Sequence, residues 1–163
     1  MTPPAKTGRF WIMPPRLVLV LLAGAGLIHW ALGARPVLRS VPAGGVLIAL
    51  AIVLNVWAVQ VFKSAQTPIR PDEMPAGLVS RGPFAFSRNP MYLGLVAFVL
   101  GVAFLVGTVP FWCAPVVLWL VLGRVFVRHE ERVLRAQFGS DFDAYRERVP
   151  RWLIPPVRRP PHR

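Results

Sequence analysis

Two short runs of this chain gather residue types that can bind or transform a small charged molecule. The first, Gly77 to Gly94, reads GLVSRGPFAFSRNPMYLG and carries Arg88, Asn89, Pro90 and Tyr92. The second, Arg128 to Trp152, carries Arg128, His129, Glu130, Glu131, Phe138 and Tyr145. Carboxylates accept hydrogen bonds from hydroxyl and ammonium groups, guanidiniums grip carboxylates in a fork, and aromatic faces receive cations. A pocket between the two runs therefore suits a ligand bearing both signs of charge. Spacing alone leaves a plainer reading open: Arg88 and Arg128 anchor to lipid phosphate while Glu130 and Glu131 complement Arg132 and Arg135 along one helix.

Other chemistries find no support. His29, His129 and His162 are far apart with no carboxylate at metal-ligand spacing, and no HExxH, GxSxG or Walker-type loop occurs, so no metal site is expected. The single Cys113 excludes an internal disulfide, a cysteine zinc cage and a CxxC pair. Gly24-Ala25-Gly26 lacks the third glycine and the downstream acid of a dinucleotide fingerprint. It reads instead as small residues that let helices approach, as do Ala97 with Gly101 and Ala103 with Gly107. No zinc-finger, RNP-like or helix-turn-helix pattern accompanies the basic charge, so nucleic acid is not an expected partner.

The elements that must position the two runs follow from where charge is missing. The chain has 163 residues, room for one domain, of which 55% are hydrophobic and only 16% charged. No Asp, Glu, Lys or Arg falls in Leu17 to Ala34, Val41 to Phe62 or Asn89 to Gly123. About 17 to 25 apolar residues cross a bilayer as a helix. Four spans are predicted, over 17–34, 44–62, 91–109 and 110–127, with Pro110 marking a hairpin between the last two. The net charge of +12 is distributed unevenly. With the N-terminus inside, sixteen Lys and Arg lie on the inner side and two, Arg35 and Arg39, outside. Both termini and the loop from Lys63 to Pro90 are therefore expected in the cytoplasm, on the face where both reactive runs lie.

Within the spans the polar residues are His29, Asn55, Gln60 and Arg124. Asn55 and His29 read as interhelical glue. Arg124 begins a ladder with Arg128, Glu131 and Arg135 at helical spacing, leading out of the membrane. Beyond span four, Val133, Leu134 and Phe138 keep helical spacing up to Gly139, which is placed to end a helix. Ser140 and Asp143 form a capping box for a second helix whose Phe142, Tyr145 and Val149 share a face, stopped by Pro150. The tail 155–163 is expected to be disordered. The predicted fold is thus all-α: a multi-pass transmembrane bundle with membrane-surface helices at its C-terminal end, in one domain spanning 1–163.

SRGPFAFSRNPMYLG, followed one hairpin later by EERVLRAQFGSDFDAYRERVPRWL, resembles the isoprenylcysteine carboxyl methyltransferase and phospholipid methyltransferase superfamily over about Gly77 to Ile154. Arg88, Asn89, Pro90, Tyr92 and Gly94 match its Arg-His-Pro-x-Tyr-x-Gly element, with Asn89 where His is usual. Glu130 and Glu131 match its Glu pair, Phe138, Gly139 and Tyr145 its Phe-Gly and Tyr positions, and Val149, Pro150 and Arg151 its closing motif. The resemblance implies an integral-membrane enzyme that uses S-adenosylmethionine without a Rossmann sheet. It implies cofactor binding by Arg88, Pro90, Tyr92, Gly94, Arg128, His129, Glu130, Glu131, Phe138 and Tyr145. Asn89, by its motif position, and Arg124, as a holder of an anionic acceptor head, are the expected catalytic positions. The expected reaction is methylation of a lipophilic or small acceptor, most like isoprenylcysteine-type carboxyl O-methylation. Phospholipid N-methylation and small-thiol S-methylation are alternatives, and a non-catalytic membrane scaffold is the alternative outside enzymes. Asn89 cannot titrate near neutrality, which favours an acceptor needing no base.

Overall fold

A membrane span must satisfy every backbone N–H and C=O internally, and long apolar runs do so as helices. The computed structural model describes residues 14–65 and 77–153, and all regular structure among them is helical. The helices are α1 (Pro14–Leu32), α2 (Val41–Ser64), α3 (Pro90–Val106), α4 (Val109–Val121) and α5 (Val127–Arg148). A 3₁₀ turn, Gly82–Ala85, precedes α3, and a π-helical segment, Leu122–Phe126, joins α4 to α5. The N-terminal tail with Lys6 and Arg9, the loop segment 66–76 with Arg70, and the tail 155–163 lie outside the described residues.

Three helical runs are long and apolar enough to cross a bilayer: α1 with 19 residues, α2 with 24, and the 40-residue run from Val109 to Arg148. The apolar α3, with 17 residues, is shorter. At 1.5 Å per residue it measures about 25 Å, close to the lower limit for a span. The chain is a multi-pass membrane helical bundle. Leu19, Leu27, Trp30, Val53 and Val116 are all more than half exposed on its outside. That pattern suits hydrocarbon as the surrounding solvent.

The boundaries differ from expectation in instructive ways. Pro14 and Pro15, expected in the tail, form the first turn of α1, where the missing N–H would have been unpaired in any case. Helix α2 starts three residues before the predicted span because Ser40 caps it, its Oγ accepting from the Ala43 N–H at 3.4 Å. Helix α3 stops at Val106 because Gly107 turns left-handed, with φ of 80°. The same glycine receives the preceding loop, its carbonyl accepting from the N–H groups of Val37 and Leu38 at 2.8 and 3.2 Å. Arg39 Nε donates to the Leu105 carbonyl at 2.9 Å, satisfying another helix-end acceptor. Nor does the fourth span end where its apolar residues do. It runs without a break into α5 as far as Phe138, and Gly139, expected to end a helix, does so with a non-helical φ of 48° and ψ of −119°, so that α5 is two helices joined at a kink.

Helices α2 and α3 run antiparallel and pack against each other more extensively than any other pair. A Cβ on Gly44 would sit 2.7 Å from the Gly101 carbonyl oxygen, and one on Gly94 would sit 2.0 Å from Asn55 Nδ2. Glycines thus bring these backbones close, as expected for Gly101. On the other side of α3, α4 packs against both α3 and α1. Val18, Tyr92, Val99, Leu118 and Leu122 form the main buried cluster there. In the Gly24-Ala25-Gly26 run it is Ala25 that is buried, against Ala103 and Phe111, whereas Gly24 has no atom within 4 Å of an added Cβ.

Gly44→Ala should therefore destabilise the bundle by about 1–3 kcal/mol, since two backbones must separate, while Gly24→Ala should be neutral or slightly stabilising. Thermal unfolding in detergent, followed by helical circular dichroism, measures both.

Candidate functional site

The 3₁₀ turn begins the site. Gly82 and Pro83 open it, Phe84 packs edge-on to Phe62 with ring centroids 4.8 Å apart, and Phe86 lies 6.0 Å from Trp57. Both contacts hold the turn on the end of α2. Ser87 follows, fully buried, donating to the Arg151 carbonyl at 3.3 Å and accepting from the Asn89 N–H at 3.2 Å. Pro90 then starts α3, where its fixed φ suits the first turn.

At this end of the bundle Arg88 lies across the C-terminal segment. Its Nη2 donates to Glu131 Oε1 at 2.8 Å, and its Nη1 donates to the carbonyls of Arg146 and Val149, each at 3.0 Å. The Arg88 backbone N–H donates to the Pro150 carbonyl at 2.9 Å. Arg151 completes the cluster: its Nε donates to Glu131 Oε1 at 3.0 Å and its Nη2 to Glu131 Oε2, a two-pronged grip. Burial alone would raise the Glu131 carboxyl, but the hydrogen bond and charge from Arg151, with the charge of Arg88, outweigh it and hold the group below its ordinary value. Burial lowers the Arg88 guanidinium while Glu131 pulls it back up.

Glu130, adjacent in sequence, has a different environment. It lies three residues beyond the apolar run that ends at Val127, and it accepts the Tyr92 hydroxyl in a short hydrogen bond. Burial pushes its carboxyl up to about 7, against the opposing effect of the Tyr92 hydrogen bond. Two neighbouring carboxyls thus titrate in opposite directions. One is a fixed anion, and the other exchanges a proton near neutrality.

The structure therefore brings Arg88, Asn89, Tyr92, Glu130 and Glu131 from the two runs to one end of the bundle. Asn89 is buried and its Nδ2 donates to the Arg151 carbonyl at 2.9 Å, so its amide is committed to the chain itself. Gly94 faces α2 rather than Glu130. Phe138 and Tyr145 form a satellite core with Leu78, Phe142 and Val149, and the Tyr145 hydroxyl donates to the Phe84 carbonyl at 2.7 Å. His129 is half-buried, while Arg124 and Arg128 are exposed on the π segment and the first turn of α5. The expected ladder from Arg124 through Glu131 to Arg135 is not formed. Glu131 turns inward to the arginine pair, and Arg135 reaches Asp143 at 3.3 Å. Glu131 and Arg135 are one turn apart on α5, so the tertiary partners of each, and not helical spacing, decide which pairs form.

Arg151 is the site residue that charge spacing did not single out. Twenty residues separate it from Glu131, and only the stop at Pro150 brings it back over α5. Trp152 then lies 6.2 Å from Trp119 and within 3.7 Å of an added Cβ on Gly123, which extends the closing strap onto α4 and the π segment.

Comparison with known proteins adds two findings. The family model described as phospholipid methyltransferase matches residues 40–141. An uncharacterized protein of Haemophilus influenzae is 30% identical over 63 residues, which cover 39% of this chain and 100% of that relative. No solved structure matches. The family match takes in Arg88, Tyr92, Glu130 and Glu131 and ends before Tyr145 and Arg151.

Removing one partner of a partly buried ion cluster leaves the others short of a hydrogen-bond acceptor. Glu131→Gln should cost about 1–3 kcal/mol and release the 149–153 strap to protease, whereas Asp143→Asn, in a largely exposed pair, should cost under about 1 kcal/mol. Denaturant unfolding and limited proteolysis in detergent compare the two.

Proposed function

Because the chain belongs to the phospholipid methyltransferase family, we propose that it transfers a methyl group from S-adenosylmethionine to a lipophilic or small acceptor at the bundle end where 77–94 and 128–152 meet. The positive-inside bias supports a cytoplasmic position for that end. The observation that carries the reading is the pairing of Arg88 with Glu131 and of Tyr92 with Glu130, four motif residues from two distant runs held together where the start of α3 faces the first turn of α5.

The cofactor has a carboxylate, an ammonium group, ribose hydroxyls and a sulfonium, and the donor set fits it. Arg88 Nε is buried and has no acceptor among the described residues, so a ligand carboxylate oxygen can complete it. Glu130 can take a hydroxyl or ammonium donor. When bound, the cofactor supplies an electrophilic methyl group for in-line displacement. The chain contributes positioning and exclusion of water, both provided by the strap that Arg88 and Glu131 hold down. Asn89 acts as a positioning residue through the Arg151 carbonyl.

The acceptor class follows from Glu130. A carboxylate acceptor is already ionised at neutral pH and needs no base, while an amine or thiol must lose a proton. A buried carboxyl that titrates near 7 can receive it. This supports an amine or thiol acceptor over the isoprenylcysteine-type carboxyl suggested by Asn89, and within the family it supports a phospholipid amine.

The test uses full-length protein in nanodiscs with methyl-labelled S-adenosylmethionine and, in parallel, phosphatidylethanolamine, a prenylated cysteine analogue and a long-chain thiol. Label is expected in the phosphatidylethanolamine amine. Because the base acts in its ionised form, the rate should rise with pH through about 7 and then level. Glu130→Gln should lower turnover by about 10²–10⁴-fold and remove the pH step. A rate that is flat with pH refutes the base, label in the prenylcysteine carboxyl refutes the acceptor class, and absence of S-adenosylmethionine binding by calorimetry refutes the activity.

A further inference from the structure

Arg124 is the single charged residue in the otherwise apolar stretch from Asn89 to Val127, and it is exposed on the π segment of the last long helix. Arg128 and Arg132 follow at four-residue intervals, and both are exposed. The Arg132 Nε donates to the Arg128 carbonyl at 3.3 Å, so the two share one face of α5. The acidic residues nearby serve elsewhere. Glu130 takes Tyr92, Glu131 takes Arg88 and Arg151, and Asp143 takes Arg135 and Arg146. Among the described residues the result is a row of three guanidiniums without a carboxylate, rising from an apolar surface that includes exposed Val116, Val117 and Val125.

Depth along the helix is marked by Trp119, 45% exposed and paired with Trp152, an amphipathic ring of the kind that settles where acyl chains meet headgroups. Arg124 stands little more than one turn further toward the polar end. An uncompensated guanidinium at that depth is costly in hydrocarbon and well placed beside a phosphodiester, which it can grip with two parallel hydrogen bonds.

We infer that the row Arg124, Arg128 and Arg132 is a binding surface for an anionic phospholipid, whose phosphodiester seats between Arg124 and Arg128 with its acyl chains along α4. The occupant is fixed by charge complementarity and by the lipid-facing apolar surface below the row, which a soluble anion would leave bare. The inference does not depend on the methyl-transfer reading.

The experiment reconstitutes the full chain in phosphatidylcholine vesicles containing a minor fraction of acyl-brominated phosphatidylglycerol or, in matched samples, acyl-brominated phosphatidylcholine, and follows quenching of tryptophan fluorescence. Brominated phosphatidylglycerol should be enriched roughly tenfold near the protein, and Trp119→Phe combined with Trp152→Phe should remove most of that excess quenching. Arg124→Gln combined with Arg128→Gln and Arg132→Gln should reduce the enrichment to near unity, while the corresponding triple Lys variant should keep a large part of it. Equal quenching by the two lipids in the wild type overturns the inference whatever the variants do. So does displacement by millimolar inorganic phosphate, which assigns the row to a soluble anion, or preference retained in a folded triple Gln variant.

Discussion

A carboxylate withdrawn from water must be matched by cations in good geometry, and Glu131 meets that requirement with two arginines from opposite ends of the polar sequence. Everything at this end of the bundle follows from the match. Arg88 is brought in by the 3₁₀ turn resting on α2, and Arg151 by the chain reversal after Pro150. The spare hydrogen bonds of both arginine residues then tie loop, α3 start, α5 and strap together. The three-charge cluster keeps one positive charge, which makes it a favourable neighbour for an anionic group and an unfavourable one for a second cation.

The arrangement divides the protein into two mechanical parts. Helices α2 and α3 meet through glycines, backbone against backbone, and leave little freedom to slide. The strap has a few carbonyl contacts, one ion cluster and one tryptophan tilted against Trp119. Contacts of that kind open and close at modest cost, as admission of a cofactor requires. Tyr92 belongs to the rigid part and Glu130 to the helix that bears on the strap, so their hydrogen bond crosses the division.

Much of this was legible in the sequence, for identifiable reasons. Stretches without charge locate the helices because the cost of a charge in hydrocarbon is large, and the motif pairing of 77–94 with 128–152 anticipated that Arg88, Tyr92, Glu130 and Glu131 would meet. The opposite fates of Glu130 and Glu131 were not legible. Neighbours on a helix point about 100° apart, and only the positions of Tyr92 and Arg151 decide which carboxyl is neutralised by burial and which by charge. The ladder from Arg124 failed because Arg88 and Arg151 claim Glu131 and Asp143 claims Arg135, partners that spacing along one helix does not announce. Pro14 and Pro15 misled in the opposite way, since a proline that breaks a helix in its middle is at home in its first turn.

The helical run from Val109 to Arg148 has 40 residues and is kinked at Gly139. The part before the kink would reach about 45 Å, half as much again as the depth of hydrocarbon. Its apolar part, up to Val127, suits hydrocarbon, and the part beyond carries both carboxyls of the cluster. One helix therefore belongs both to the span and to the site, so that a change in its tilt would carry Glu130 and Glu131 relative to Tyr92 on α3 and Arg88 in the loop before it.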